Sequence, residues 1–322
     1  MNLTYVGDTY GNENGTMATD NYLWVSSGYI YTAMPPVTLL VVMPAGMGTR
    51  LWAVSDSLFW TTQYKAIGQS YIKKVSFNGS AITELLILPN VYNVLRIYAT
   101  NNYVHLGTDA GLVCYDSNGT YLDTAAGYCT NLMGDSTYIY AVIFNTVTGI
   151  YYLKAYLNNV GSYTLLCSQS LGTAYDTVRW IYATENKAHV LMYSFLTQIA
   201  SYKIYGFNGS VFNLETSVNV HTGGSIDGKI VVSNDEYALV SILDGSLKNV
   251  YKIYLKSTLK YSNTGPAGAF SHIYSTYYWS GLIPFNNKGY FGFDLGNNGF
   301  FQAKLYEIES DQFDTTTVNW IP

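Results

Sequence analysis

Three arginines make the sharpest chemical suggestion in this sequence. They are Arg50, Arg96 and Arg179, and the chain has no others. Arg50 lies five residues before Ser55, and Arg179 lies five before Thr184, so two of them share one register ahead of similar polar turns. Arg96 is one residue off that register. A guanidinium presents a planar fork of donors that fits a carboxylate or a phosphate. Brought to one mouth, the three would hold an anion. In the opposing reading each ties backbone carbonyls or tyrosine hydroxyls between structural units. Tyr175 and Asp176 stand just before Arg179, and Tyr92 precedes Arg96 at a similar spacing.

Metal chemistry finds less support. The histidines are His105, His189, His221 and His272. The first two close near-copies of one segment, IYATNNYVH at 97–105 and IYATENKAH at 181–189. Metal ligands must bring their tips within a few ångströms of one ion. Two residues on separated repeats do not meet that demand, so packing between repeats is expected; His221 and His272 lie near loop positions. Cys114, Cys129 and Cys167 have no ligand spacing, and an odd count suits no disulfide framework. Buried free thiols are expected, with one bridged pair as the alternative. The carboxylates of Glu309, Asp311 and Asp314 lack the spacing of a calcium loop. No phosphate loop, nucleotide fingerprint or nucleophile elbow occurs, so neither cofactor nor metal is expected. Glycosylation triplets start at Asn2, Asn14, Asn78, Asn118 and Asn208. The last three are Asn-Gly pairs, which turn chemistry explains without a glycan.

Composition and repetition indicate the elements that would carry these residues. The chain has 322 residues, is 48% hydrophobic and only 11% charged, against a usual ~25% charged. That excludes a disordered chain. A net charge of −5 argues against a nucleic-acid partner. Tyrosine is abundant at 33, with 29 glycines and 7 prolines, which suits strands and amphipathic surfaces. Residues 1–15 have no basic n-region and no apolar run, so no secretory signal is expected there. The longest apolar stretch, 37–43, is far too short to span a bilayer.

A polar turn recurs seven times, centred on Asp20, Asp56, Asn101, Asp135, Glu185, Asn234 and Asn287. Some 12–20 residues later comes a strand with an apolar-Lys-x-aromatic core, at Lys73, Lys154, Lys203, Lys252 and Lys304. Residues 112–115 and 29–31 fill two further slots without the lysine. The Asn-Gly pairs at 78–79, 118–119 and 208–209 read as two-residue type I′ hairpins. Four antiparallel strands per unit of ~42 residues, seven times over, resembles a seven-bladed β-propeller, with six blades as the alternative. The resemblance is to the architecture across essentially the whole chain: WD, kelch and Asp-box signatures are missing. It implies one domain, with a ring-closing strand in 1–12 and blades near 13–45, 46–90, 91–128, 129–172, 173–218, 219–264 and 265–322. Residues 315–321 are expected to add a strand to the last blade.

In such a ring, one face carries the tight turns and the other the longer loops, expected at 43–49, 61–70, 217–228 and 261–271. Function tends to sit on the longer loops. The tyrosines expected there are Tyr64, Tyr92, Tyr128, Tyr175 and Tyr261. An arginine cluster in a propeller also resembles sialidases, which implies a carboxylate-binding glycosidase as an alternative, using Arg50, Arg96, Arg179, Tyr92, Tyr175 and Asp176. The composition looks like that of surface and virion proteins of archaeal viruses from hot, acidic habitats. It implies a non-catalytic component of a virion or cell exterior that contacts a host glycan, a host protein or other virion proteins, without membrane insertion.

Overall fold

The computed structural model describes residues 3–10, 17–18, 21–25, 28–32, 38–45, 47–66, 69–90, 93–158, 161–223, 227–233, 237–243, 249–255, 257–264, 281–285, 288–294 and 302–308. Among these there is no helix, and the strands form seven four-stranded antiparallel sheets.

Strand β1 (Leu3–Tyr10) belongs to the last sheet. Blade 1 holds β2 (Met17–Ala18), β3 (Tyr22–Val25), β4 (Tyr29–Thr32) and β5 (Leu39–Val42). Blade 2 holds β6 (Met47–Ser55), β7 (Leu58–Ala66), β8 (Gln69–Phe77) and β9 (Ile82–Asn90). Blade 3 holds β10 (Val94–Ala99), β11 (Tyr103–Thr108), β12 (Gly111–Asp116) and β13 (Tyr121–Ala126). Blade 4 holds β14 (Tyr128–Gly134), β15 (Tyr138–Asn145), β16 (Ile150–Leu157) and β17 (Leu165–Ser170). Blade 5 holds β18 (Asp176–Thr184), β19 (Lys187–Ser194), β20 (Ile199–Phe207) and β21 (Phe212–Thr222). Blade 6 holds β22 (Asp227–Ser233), β23 (Tyr237–Leu243), β24 (Asn249–Leu255) and β25 (Thr258–Thr264). Blade 7 holds β26 (Gly281–Phe285), β27 (Lys288–Asp294) and β28 (Gln302–Ile308), and β1 pairs antiparallel with β28 as its outer strand.

The first strands of successive blades touch in order, and β2 touches β26, so the ring closes into a β-propeller. The segment 315–321 lies outside the described residues. The polar turns centred on Asp56, Asn101, Asp135 and Glu185 each join a first strand to a second, those centred on Asp20, Asn234 and Asn287 lie outside the described residues, and the lysine-bearing segments are all third strands. Three details depart from expectation. Residues 61–66 and 69–70 are strand, β21 runs on to Thr222, and β25 runs to Thr264, so the described parts of the expected long loops are short. Tyr128 opens blade 4 rather than ending blade 3.

The Asn-Gly turns are not type I′ hairpins either. Gly79, Gly119 and Gly209 have φ of +93°, +88° and +94°, but no asparagine before them adopts positive φ. A side chain fixes the turn instead: Asn78 Oδ1 accepts from the Ser80 and Ala81 amides at 3.1 and 2.8 Å, and Asn208 does the same for Ser210 and Val211. Asp116 plays this part at the third turn, for Asn118 and Thr120. An Asx-type bond needs no left-handed asparagine, which relieves the steric demand of the mirror-image turn.

These turns also dock the blades. Phe77, just before Asn78, meets Tyr22 of blade 1 edge-on at 4.9 Å between ring centroids; Phe207 meets Tyr138 of blade 4 in the same way at 4.8 Å. Tyr98, Tyr140, Tyr156, Tyr193, Tyr202, Tyr205 and Tyr254 are all buried, where the ring supplies apolar area, and the hydroxyls of Tyr98, Tyr140 and Tyr202 also make hydrogen bonds.

Candidate functional site

Near the start of β10, β14 and β18 the pairing with the second strand skips one residue: Leu95, Thr130 and Arg179 have no cross-strand partner. A one-residue bulge moves the next side chains to the other side of the strand. It explains why Arg96 and Arg179, one register apart, go different ways. Arg96 shares its position with Asn131 and Trp180 on the next two blades, and it reaches both. Its Nη2 donates to Asn131 Oδ1 at 3.4 Å, and its Cζ lies 4.8 Å from the Trp180 ring centroid. Arg96 Nη1 also donates to the Leu95 carbonyl at 2.8 Å, and Arg50 Nε donates to that same oxygen from blade 2 at 2.9 Å. Two of the three arginines therefore meet, across the inner strands of blades 2 and 3.

Arg179 does not join them. Its guanidinium lies 5.8 Å from the ring centroids of Tyr193 and Phe195 in its own blade. Its Nε is buried without a hydrogen-bond partner, and among the described residues Arg179 makes no hydrogen bond or ion pair. Around it lie three touching connections on the face opposite the polar turns. The Phe195 amide donates to the Tyr175 carbonyl at 2.9 Å. A Cβ built on Gly149 would sit 3.1 Å from that of Ala174. On these connections Val147, Tyr175, Phe195 and Leu196 are 92%, 59%, 54% and 72% exposed. Asn145 and two left-handed residues, Gly149 and Gln198, hold the turns in shape.

Sequence reasoning picked out Tyr175 but missed Val147, Phe195 and Leu196. The available signal was apolar residues inside turns, where polar ones are usual. Asp176 is a structural carboxylate. Burial alone would raise its pKa, but hydrogen bonds from the Thr173 amide and hydroxyl and from Ser194, with the charge of Lys203, hold it below the ordinary range. Its Oδ2 accepts from Thr173 N at 2.7 Å and Thr173 Oγ1 at 2.9 Å. Tyr92 lies outside the described residues, as do Asn2, Asn14 and His272. Asn78, Asn118 and Asn208 are exposed at turn tips.

The two repeated histidines are buried at 2% exposure each. His105 Nδ1 bonds the Tyr163 hydroxyl of blade 4 at 2.8 Å; His189 bonds Tyr202 at 2.7 Å and Thr184 at 2.9 Å within blade 5. Burial pushes both imidazoles down to about 3, with Lys187 adding to the effect at His189. All three cysteines are free, and burial pushes the Cys114 and Cys129 thiols up to about 12. Among the described residues no group of three potential metal ligands gathers.

The lysine register is used differently from blade to blade. Lys252 Nζ donates to the Val220 carbonyl of the preceding blade. Lys73 pairs with Glu84 at 2.5 Å, and Lys203 stands in the field of Asp176. Lys154, like Lys203, makes no hydrogen bond or ion pair among the described residues, and it alone of the described register lines a cleft of about 560 Å³, between blades 3 and 4.

No known protein family matches the chain, and no curated protein matches it. Solved structures do. A Bacteroides fragilis protein described as a 6-phosphogluconolactonase is similar with a TM-score of 0.57 and 10% identity, over 87% of this chain and 89% of that one. The N-terminal domain of Nup159 is similar with a TM-score of 0.55 and 8% identity, over 94% of each chain. Hsv2 of Kluyvelomyces marxianus is similar with a TM-score of 0.53 and 6% identity, over 98% of this chain and all of that one, at 100%. At such identities the shared property is the β-propeller fold.

Proposed function

We propose that this propeller is a non-catalytic recognition or scaffold module, and that its contact surface is the connection face of blades 4 and 5. The observation that carries this reading is the cluster of Val147, Tyr175, Phe195 and Leu196, exposed on three touching turns around Arg179. Apolar side chains at such exposure, grouped rather than scattered, mark an interaction site on a soluble surface. Tyrosine and phenylalanine on a rigid framework give contact area at low entropic cost. The polar groups that could do chemistry elsewhere, Asp176, His189 and Arg96, are engaged in holding the fold together.

The finer reading is a virion or cell-surface component whose partner is a host glycan or protein. Its support is compositional: few charges, many tyrosines, and a polar surface built from Asn, Thr and Ser. The test is a glycan array and a host-surface binding assay at pH 7, with Tyr175→Ala and the double variant Phe195→Ser/Leu196→Ser beside the native protein. Binding that is lost in both variants supports the face and names the partner class. Binding that survives in both removes the contact from this face. No binding in either assay would leave contact with other virion proteins as the reading, which co-assembly with those proteins then tests.

A further inference from the structure

The cleft between blades 3 and 4 is open for a local reason. Blade 3 contributes Ala126 and Gly127 at its rim, and Gly127 has φ of +120°. A Cβ there would stand 2.5 Å from Ile143 Cγ2, so the small residue is required by the backbone and by its neighbour alike. Blade 4 presents the far wall. Ile143, Tyr152, Lys154 and Ser168 lie on one side of its sheet, since Ile143 pairs with Tyr152 and Lys154 pairs with Ser168 in register. Tyr128 and Phe144 contribute at the rim, while their rings pack edge-on at 6.3 Å on the other face of the sheet, with Tyr151 towards blade 5.

Lys154 gives the cleft its chemistry. The equivalent lysines of blades 2 and 6 spend their ammonium groups on Glu84 and on the Val220 carbonyl. Lys154 has neither kind of partner among the described residues, although it is half-buried in the cleft wall. An ammonium on the same wall as the Tyr152 ring and Ile143 binds a carboxylate whose apolar part packs on that wall. Asp109, at the opposite rim, is exposed, and its carboxylate makes no hydrogen bond among the described residues. Its charge opposes a second anionic group on the ligand. From this we infer that the interblade cleft is a small-molecule site for a monocarboxylate carrying a flat or cyclic apolar group, with Lys154 as its charge partner. The cleft adjoins the exposed turn of blade 4 through Asn145 and Thr146, but Lys154 lies outside that turn, so the assignment does not depend on the turn's role.

The test is saturation-transfer NMR with benzoate, benzamide, benzylamine and phthalate as probes, each titrated against the full chain. Benzoate is expected to bind, benzamide and phthalate more weakly, and benzylamine not at all. Lys154→Met should weaken benzoate by about ten-fold or more, while Asp109→Asn should keep benzoate and improve phthalate. Ala126→Trp should block the cleft. Unchanged thermal melting certifies that each variant folds. Benzoate that binds Lys154→Met as well as the native chain overturns the assignment, and so does the absence of benzoate binding to the native chain.

Discussion

Arg50 and Arg96 donate to one oxygen, the carbonyl of Leu95, at 2.9 and 2.8 Å. Leu95 is the bulged residue of β10, so its carbonyl is turned out of the ladder and free to accept twice. The arrangement stitches blade 2 to blade 3, and the Arg96 contacts with Asn131 and Trp180 extend it to blades 4 and 5.

Arg96→Met should therefore destabilise the fold by about 2–4 kcal/mol, from lost charge-assisted bonds and the lost ring contact. Arg96→Lys should recover little of it, because an ammonium cannot bridge two acceptors while lying flat on an indole. Urea unfolding of the two variants checks this. A loss below about 0.5 kcal/mol for Arg96→Met, the scale of an ordinary surface change, would show that these contacts do not hold the ring.

Acid should weaken the protein well before its carboxylates titrate. The native imidazoles of His105 and His189 are pushed down to about 3, while an unfolded histidine titrates near 6.5. Between those values the unfolded chain binds protons that the native state refuses, so stability rises with pH and is lost as pH falls through 6.5. The slope is about 1.4 kcal/mol per pH unit for each histidine. Unfolding free energies at pH 6, 5 and 4 should fall accordingly, and His105→Gln should halve the slope. A flat profile would contradict the burial of these rings. The direction also bears on habitat: few carboxylates favour tolerance of acid, but two buried neutral histidines oppose it.

Thiol labelling separates the cysteines. Cys114 and Cys129 are buried and their thiols lie near 12, so the thiolate that reacts is scarce at pH 8. Cys167 is only half-buried. An aromatic disulfide reagent should modify one thiol quickly in the native protein, at Cys167, and all three in denaturant. Native modification of Cys114 or Cys129 at a comparable rate would mean that the gap between blades 3 and 4 opens readily.

Much of the ring was legible because its signals are local. A polar turn after each first strand, an Asn-Gly pair after some third strands and a lysine register are each fixed by a few neighbouring residues. The site was less so. Side chains alternate with period two, so the unpaired Leu95, Thr130 and Arg179 invert the facing of the residues next along each strand, and no residue type announces a bulge. From spacing alone Arg50 and Arg179 looked equivalent, yet one ties two blades together and the other lies over Phe195. Lys154 could not be told from its repeat partners either, because what sets it apart is the cleft in front of it, which spacing does not report.

Two glycines separate backbone strain from crowding. Gly119 has φ of +88°, and a Cβ on it would meet Leu88 Cδ2 at 2.6 Å and Leu86 Cδ2 at 2.7 Å in blade 2. Gly223 has φ of +101° with nothing within 4 Å of that position. Gly223→Ala should cost about 1 kcal/mol from the left-handed conformation alone. Gly119→Ala should cost roughly 1–3 kcal/mol more, because the turn must lift off its neighbour. Trimming the neighbour tests the cause: Leu86→Ala should shrink the extra penalty of Gly119→Ala in a double-mutant cycle. Equal penalties for the two glycine variants would mean that the turn at 118–119 does not dock against blade 2.

Closure by β1 is the last link in the ring, and it is made by antiparallel pairing with β28. Residues 3–5 and 7–10 face β28 in antiparallel register, with a break between Tyr5 and Gly7. Without β1, the edge of β28 would present unpaired amides and carbonyls to solvent and to other chains. At about 1 kcal/mol of net stability per backbone hydrogen bond, losing this strand should remove on the order of 3–6 kcal/mol, much of what a domain has in reserve. Deletion of residues 1–10 should thus lower the melting temperature and promote association between copies. A synthetic peptide of residues 1–10, added in trans, should restore both by refilling the edge. A scrambled peptide of the same composition supplies the control. If the truncated chain melts like the full one and stays monomeric, the ring is closed by the contact of β26 with β2 and not by the strand at its rim.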